Sequence, residues 1–266
     1  MNSSEEIKVR ITSVEFPVGD TLPDEIRVQL RRNVEEQVFS VAAGTPDTDW
    51  LDELNEVVVR EVLADAGYFR AQRSMTPYLI RAEGPQRFYT VRIEAESGLQ
   101  YRLGEVRFSN VKAFTQDDLR KQVRLLTGEI FDVAKIREAI ESIVTLYSTK
   151  GYIDATIEPR MKFDDEKQQI DVMMKLSEEA QYLVGTVEIL GVEDGAKNRL
   201  VARLHPGRIF DASILRSFVE ENVSTLPDGA STERNVNLHR DTHERTVDIV
   251  LDVRRTGCTN SSPQTY

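Results

Sequence analysis

Two histidines four apart, in His239-Arg-Asp-Thr-His243, are the first residues whose types and spacing could do chemistry. On a helix such a pair faces one way and can hold a zinc ion, as in the metalloprotease signature H-E-x-x-H. That signature is absent. The flanking pattern reads as a strand and turn, where positions four apart stand about 13 Å from each other. No metal site is therefore expected. The single cysteine, Cys258, lies in a polar tail, which removes an intramolecular disulfide framework and any Cys/His nucleophile. No Gly-x-Ser-x-Gly elbow and no Gly-rich phosphate loop occurs, and the carboxylates are dispersed among lysines and arginines as surface charge. The chain reads as a non-enzyme with no catalytic residue and no cofactor site.

The elements that would have had to position a site tell more. From Leu99 to Pro159 the hydrophobic period changes from two to helical. Leu103, Val106 and Phe108 mark a strand, whereas Val133, Ile136, Ile140, Ile143, Val144 and Tyr147 recur at helical spacing. Asp132 stands where an N-cap belongs, with Phe131 and Ile136 placed as a hydrophobic staple. Lys150 and Gly151 form a stop, because glycine can take the left-handed conformation that closes a helix. Extended residues follow from Tyr152 to Ile157, then a turn at Asp164-Asp165-Glu166, then the alternation Ile170, Val172, Met174, Leu176. The order is β-α-α-β-β.

The chain repeats this pattern. Gly104-Glu-Val-Arg-Phe-Ser-Asn-Val111 returns as Gly185-Thr-Val-Glu-Ile-Leu-Gly-Val192, and Leu125-Leu-Thr-Gly-Glu-Ile-Phe-Asp132 as Leu204-His-Pro-Gly-Arg-Ile-Phe-Asp211. Phe210 and Leu215 make the second staple, and Ala66-Gly-Tyr-Phe-Arg-Ala71 echoes Lys150-Gly-Tyr-Ile-Asp-Ala155. A period of roughly 80 residues means an array of small domains. Three copies fit a chain of 266 residues.

A net charge of -11 argues against a general nucleic-acid binder. No run has the apolar length that crosses a bilayer, and the opening Met-Asn-Ser-Ser-Glu-Glu lacks the features of a signal peptide. If the native protein is exported, its signal is absent from this sequence.

In chain order, residues 1–6 are a polar lead-in, and Ile7 to Phe16 form the first strand, ended by Pro17-Val-Gly-Asp20. Leu22-Pro23 opens a helix with Ile26, Leu30, Val34 and Val38 at a spacing of four. Gly44 to Asp49 is a loop, and Asp49 caps a helix containing Leu51, Leu54, Val58 and Val62, stopped by Gly67. Ala71–Tyr78 and Phe88–Ala95 form a hairpin with Tyr89, Val91, Ile93 and Ala95 on one face. Gly67, Gly104, Gly151 and Gly207 read as turn glycines, and Phe131, Phe210, Tyr147 and Tyr152 as core and staple residues. The joins between repeats are short and not Ser/Gly/Pro-rich, which predicts an extended rod with limited hinges. The tail 256–266 is polar and aperiodic and reads as disordered.

The Gly-Leu-Gln-Tyr-Arg-Leu-Gly-Glu-Val-Arg-Phe junction, the Gly-x-x-Phe-Asp helix start and the Tyr-x-x-x-Gly-Tyr helix exit resemble the polypeptide-transport-associated (POTRA) domains of Omp85-family outer-membrane proteins. The resemblance covers Leu99–Glu178 and Tyr182–Arg254 and extends to Ile7–Ser97, where the Gly-x-x-Phe-Asp start is missing; in the third copy Thr225-Leu-Pro-Asp-Gly229 replaces the exit. It implies an α+β fold, a tandem array of three β-α-α-β-β POTRA modules, each a three-stranded mixed sheet with two helices on one face. The last strand would be central and the second at an edge. The modules would span 7–97, 98–179 and 180–255.

The resemblance further implies a periplasmic location, a β-barrel following in the native chain, and partners that are unfolded outer-membrane protein clients and accessory periplasmic proteins or lipoproteins. An edge strand exposes unpaired backbone groups, so a client could add a strand by β-augmentation with little demand on its sequence. The edges expected to do this are 154–161 and 233–238, with 71–76 behind them. Their candidate residues are Asp154, Thr156, Ile157, Glu158, Arg160, Met161, Glu233, Arg234, Asn235, Val236, Asn237 and Leu238. Arg27, Arg31 and Arg32 are further candidates for contact with a partner or with lipid headgroups. The alternative is a structural spacer that holds a barrel or secretion pore away from the cell wall without binding clients.

Overall fold

The computed structural model describes residues 6–42, 49–222, 226 and 230–254. The disordered tail expected at 256–266, most of the loop at 44–49 and most of Thr225–Gly229 lie outside the described residues. The chain falls into two compact units: 1–107 with 123–139 and 159–173, and 108–122 with 140–158 and 174–266. Among the described residues no helix is long and apolar enough to cross a membrane.

The first unit holds a four-stranded sheet in the order β2-β1-β4-β3, one strand more than expected. Strand β1 (Glu6–Glu15) leads to α1 (Asp24–Glu35), whose buried stripe is Ile26, Leu30 and Val34. Val38 does not continue that stripe. It opens β2 (Val38–Ala42), which pairs antiparallel with β1 and covers an edge that would otherwise be open. The segment Val-Phe-Ser-Val-Ala is β-branched and aromatic, and as a strand it buries Phe39, which a fifth helical turn would not require.

Trp50, 2 % exposed, then fills the space between Phe39 and Tyr89, at ring separations of 5.8 and 5.1 Å. It sits in α2 (Asp49–Glu53), which runs through a π-helical turn (Leu54–Val59) into α3 (Arg60–Asp65). The extra residue in that turn moves the buried positions to Leu54, Val59, Val62 and Leu63, while Leu51 and Val58 are only partly buried. The hairpin of β3 (Gln72–Glu83) and β4 (Gln86–Glu96) is longer than its alternation predicts. Its register slips between Leu79 and Arg81, so the period of two breaks there while the pairing continues.

The other two sheets have three strands each, in the orders β5-β7-β6 and β8-β10-β9. In both, the last strand is central and the second lies at an edge. The strands are β5 (Arg102–Ser109), β6 (Thr156–Asp164) and β7 (Gln169–Ser177), then β8 (Leu183–Leu190), β9 (Val236–Asp241) and β10 (Thr246–Asp252). Strand β10 is parallel to β8 and antiparallel to β9. Helices α4 (Gln116–Arg120) and α5 (Val133–Ser148) accompany the middle sheet, and α6 (Asp194–Arg203) and α7 (Ala212–Glu221) the last.

The helix starts form as their residues dictate. Asp132 Oδ1 accepts the Lys135 amide at 3.1 Å and Asp211 Oδ1 the Ser213 amide at 2.9 Å. Phe131, Ile136, Phe210 and Leu215 are all buried. Gly104 is a correction: it lies within β5 and turns nothing. A Cβ there would overlap Asp171 Oδ1, which accepts the Glu105 amide at 2.8 Å. The last sheet repeats the device. Gly185 and Thr186 bulge opposite Asp248, whose Oδ1 accepts the Thr186 amide at 2.6 Å. In the first sheet a slip between Ile11 and Ser13 is closed instead by the hydroxyls of Ser13 and Thr90, 2.7 Å apart.

Candidate functional site

The candidate site is the set of outer hairpin strands β3, β6 and β9, each at the end of its sheet. Such strands are built on one side by ladder bonds to the central strand, and their outward N–H and C=O groups set what a further strand could pair with. The ladder of β9 runs from Val236↔Leu251 to Asp241↔Thr246. Val236 is half-buried, and Asn237 to Asp241 are exposed.

The structure relocates several expected residues. Glu233, Arg234 and Asn235 are helical, in the single turn α8 (Thr232–Asn235), so only Val236, Asn237 and Leu238 of that group lie on the edge. Ser231 caps the turn, accepting from the Arg234 amide at 3.3 Å. Asn235 is buried; its Nδ2 donates to Asp252 O at 2.9 Å, and its Oδ1 accepts from the Ser231 amide at 3.0 Å. These bonds make Asn235 an internal brace. Asp154 precedes β6 and is engaged by the Tyr182 hydroxyl at 2.7 Å and by Arg240. Thr156, Ile157, Glu158, Arg160 and Met161 do lie in β6, and 72–76 lie in β3, with Ala71 buried just before it.

The three arginines of α1 are occupied within the chain. Arg27 pairs with Asp24 at 3.0 Å, and Arg32 with Glu36 at 3.5 Å. Arg31 donates to Val14 O at 3.4 Å and lies over the Phe16 ring.

Two residues present in the sequence, but not weighed there, separate the edges. Pro77 lies in β3 and Pro159 in β6. A proline has no N–H, so on an edge strand it turns its nitrogen outward and deletes one of the donors an added strand would use. Strand β9, Val-Asn-Leu-His-Arg-Asp, has no proline. The strand expected from the sequence ends at Tyr78, short of Leu79 and Ile80, which are exposed on β3 as Tyr78 is.

The electrostatics of the region hold it in shape. His239 stands across from Asp248, whose carboxyl is held below its usual range chiefly by the Thr186 amide. His243 is in the following turn, 3.1 Å from Glu244, and among the described residues no cluster of His, Cys, Asp or Glu could hold a metal ion. Beside the middle sheet, Glu178 Oε1 accepts from the amides of Lys112 and Ala113 at 2.6 and 3.0 Å and from the Tyr147 hydroxyl at 2.8 Å. Burial works to raise the Glu178 pKa, but these donors outweigh it and hold the carboxyl below its usual range. Burial, and then Glu178 itself, push the Tyr147 phenol up.

Residues 101–179 match the POTRA family model, described as a surface antigen variable number repeat. The fold is that of the crystal structure of POTRA domains 3 to 5 of Haemophilus influenzae BamA, with a TM-score of 0.65 at 16% identity, covering 96% of this chain and 100% of that one. A Treponema pallidum protein named as an outer membrane protein assembly factor is 26% identical over 180 residues, which is 61% of this chain and 21% of that protein. The chain thus spans about a fifth of the length of that curated relative.

Proposed function

We propose that this chain is the periplasmic, client-handling part of an outer-membrane protein assembly factor, with three repeats at 7–97, 98–179 and 180–255. Extended segments of unfolded outer-membrane proteins pair with sheet edges by β-augmentation, and β9 is the foremost acceptor. The observation that carries this reading is the proline-free outer strand β9, exposed from Asn237 to Asp241 at the end of its sheet. The name of the Treponema pallidum relative supports the assembly role. The full-length protein would continue into a β-barrel, and accessory periplasmic proteins or lipoproteins would dock on other faces. No chemistry is asked of the chain, which works as a scaffold and not as an enzyme.

Pro77 and Pro159 favour a second reading for the first two repeats. There the edges are blunted, and the repeats serve as structural spacers that bind no client themselves.

Backbone amide exchange on the chain, alone and with a peptide from an outer-membrane β-strand, tests both. Protection along Val236–Asp241 is the expected result, with a scrambled-order peptide giving similar protection because capture is through the backbone. No protection at millimolar peptide would sink strand addition and leave the spacer.

A further inference from the structure

Both joins between repeats are made by the same latch, and each lies within one compact unit. At the first, the helix exit at Gly67 meets the segment leading into β5. Tyr101 N donates to Gly67 O at 2.9 Å, and Gln100 Nε2 to Ala66 O at 3.0 Å. At the second, Tyr182 N donates to Gly151 O at 2.9 Å, and Gln181 Nε2 to Lys150 O at 2.9 Å. The carbonyls of the residues that leave one repeat's helix are thus engaged by a Gln-Tyr pair from the next. Gly67 and Gly151 have φ of +82° and +77° and lie so close to the tyrosine carbonyls that a Cβ would stand 2.8 and 2.6 Å from them.

The polar contacts that complete the latch are reversed in sign. At the first join Arg70, three residues after the glycine, pairs with Asp165 in the turn after β6, and the Tyr101 hydroxyl donates to Asp165 Oδ1 at 2.7 Å. At the second join the residue three after the glycine is the acid, Asp154. It pairs with Arg240 of β9, and the Tyr182 hydroxyl donates to Asp154 Oδ2 at 2.7 Å. The tyrosine serves the carboxylate on whichever side it stands. The cation also differs in setting: Arg240 occupies the hairpin position that Phe163 has in the middle repeat, where Phe163 and Tyr101 flank Arg70 at 5.6 and 6.0 Å.

We propose that each helix exit is a docking socket whose charge selects the repeat seated on it. The Arg70 socket takes a hairpin bearing a carboxylate, and the Asp154 socket takes one bearing a guanidinium. A hairpin of the third repeat on the first socket would set Arg240 against Arg70 and leave the tyrosine hydroxyl without a carboxylate. A hairpin of the middle repeat on the second socket would set Asp165 against Asp154. The joins are therefore not interchangeable, and the order of the repeats is written in two ion pairs as well as in the covalent chain.

Amide exchange in the full chain tests this at Tyr101 and Tyr182, whose N–H groups report each latch separately. Arg70→Ala should lower Tyr101 protection about two- to fivefold, the range for an exposed pair. Arg70→Asp, which sets like charges together, should lower it about tenfold, with Tyr182 unchanged. Adding Asp165→Arg to Arg70→Asp should bring Tyr101 protection back to within about twofold of wild type, since Tyr101 can then serve the acid at position 70. Asp154→Arg, with and without Arg240→Asp, should give the mirrored result at Tyr182 and stands in should the first pair disturb folding by circular dichroism. Equal losses for Arg70→Ala and Arg70→Asp, with no recovery in either double variant, would overturn the proposal and reduce Arg70 to a packing residue over Phe163.

Discussion

Gly151→Ala and Gly207→Ala differ in one respect, which makes them a measurement of close approach. Both glycines have left-handed backbones, at φ +77° and +83°. An alanine in that region costs about 1–2 kcal/mol, and the stiffer unfolded chain returns about 0.4–1 kcal/mol. Around Gly207 a Cβ meets nothing within 4 Å, so Gly207→Ala should cost about 1 kcal/mol in all. At Gly151 the Cβ would stand 2.6 Å from Tyr182 O and 3.2 Å from Phe210 O, so one of the strands of backbone must retreat. Retreat loosens two bonds, Tyr182 N to Gly151 O and Phe210 N to Tyr182 O, both 2.9 Å. At about 1 kcal/mol each, Gly151→Ala should cost about 3 kcal/mol. The difference of about 2 kcal/mol is roughly thirtyfold in an opening equilibrium. With two compact units the unfolding transition need not be two-state, so residue-level amide exchange at Tyr182 and Phe210 is the assay. Equal loss of protection in the two variants would refute the reasoning, because conformation alone would then account for both.

Glu178→Ala should destabilise its surroundings by about 3 kcal/mol, read by amide exchange at Lys112 and Ala113, because it removes the acceptor of two amides and the Tyr147 hydroxyl. The same carboxyl has a depressed folded pKa, so its contribution is complete above the unfolded value of about 4.3 and fades as pH falls through the lower folded value. Wild type should therefore lose stability below about pH 4 more steeply than Glu178→Gln, measured by denaturation against pH. Pro77→Val restores an outward N–H on β3, and peptide protection should then appear along Gln72–Glu83 where wild type shows little. Gly185→Ala should destabilise the last sheet by overlap with Asp248 Oδ1, and Asp248→Gly added to it should recover part of the loss in thermal unfolding.

Where local chemistry and tertiary packing agree, the sequence could be read directly. The caps at Asp132 and Asp211, the exits at Gly67 and Gly151 and the alternation Ile170–Leu176 each depend on neighbours within a few residues, and all are present. Val38 could not be read this way, because its spacing continues a helical stripe while its neighbours Phe39 and Val41 favour a strand. The decision came from Trp50, which needs Phe39 beside it. Gly104 reads as a turn because its reason lies across the sheet, in Asp171, 67 positions on, and Gly185 has the same hidden reason in Asp248, 63 positions on. The sequence pattern puts the edge at 233–238, three residues before β9 begins, since the buried bond of Asn235 to Asp252 that ends α8 has no local signal.

The three outer strands also answer one hazard in two ways. Strands of 12 and 9 residues, β3 and β6, are long enough to template unwanted pairing, and each carries a proline near its middle. Strand β9 has 6 residues and no proline, so shortness does there what proline does elsewhere. Alternate residues face outward, which leaves about three donors and about three acceptors for an added strand. At about 1 kcal/mol net for each bond, and against the cost of immobilising an extended chain, such pairing is weak. An edge of that length would capture a segment and let it go, which suits the client handling proposed for this chain better than a permanent interface would.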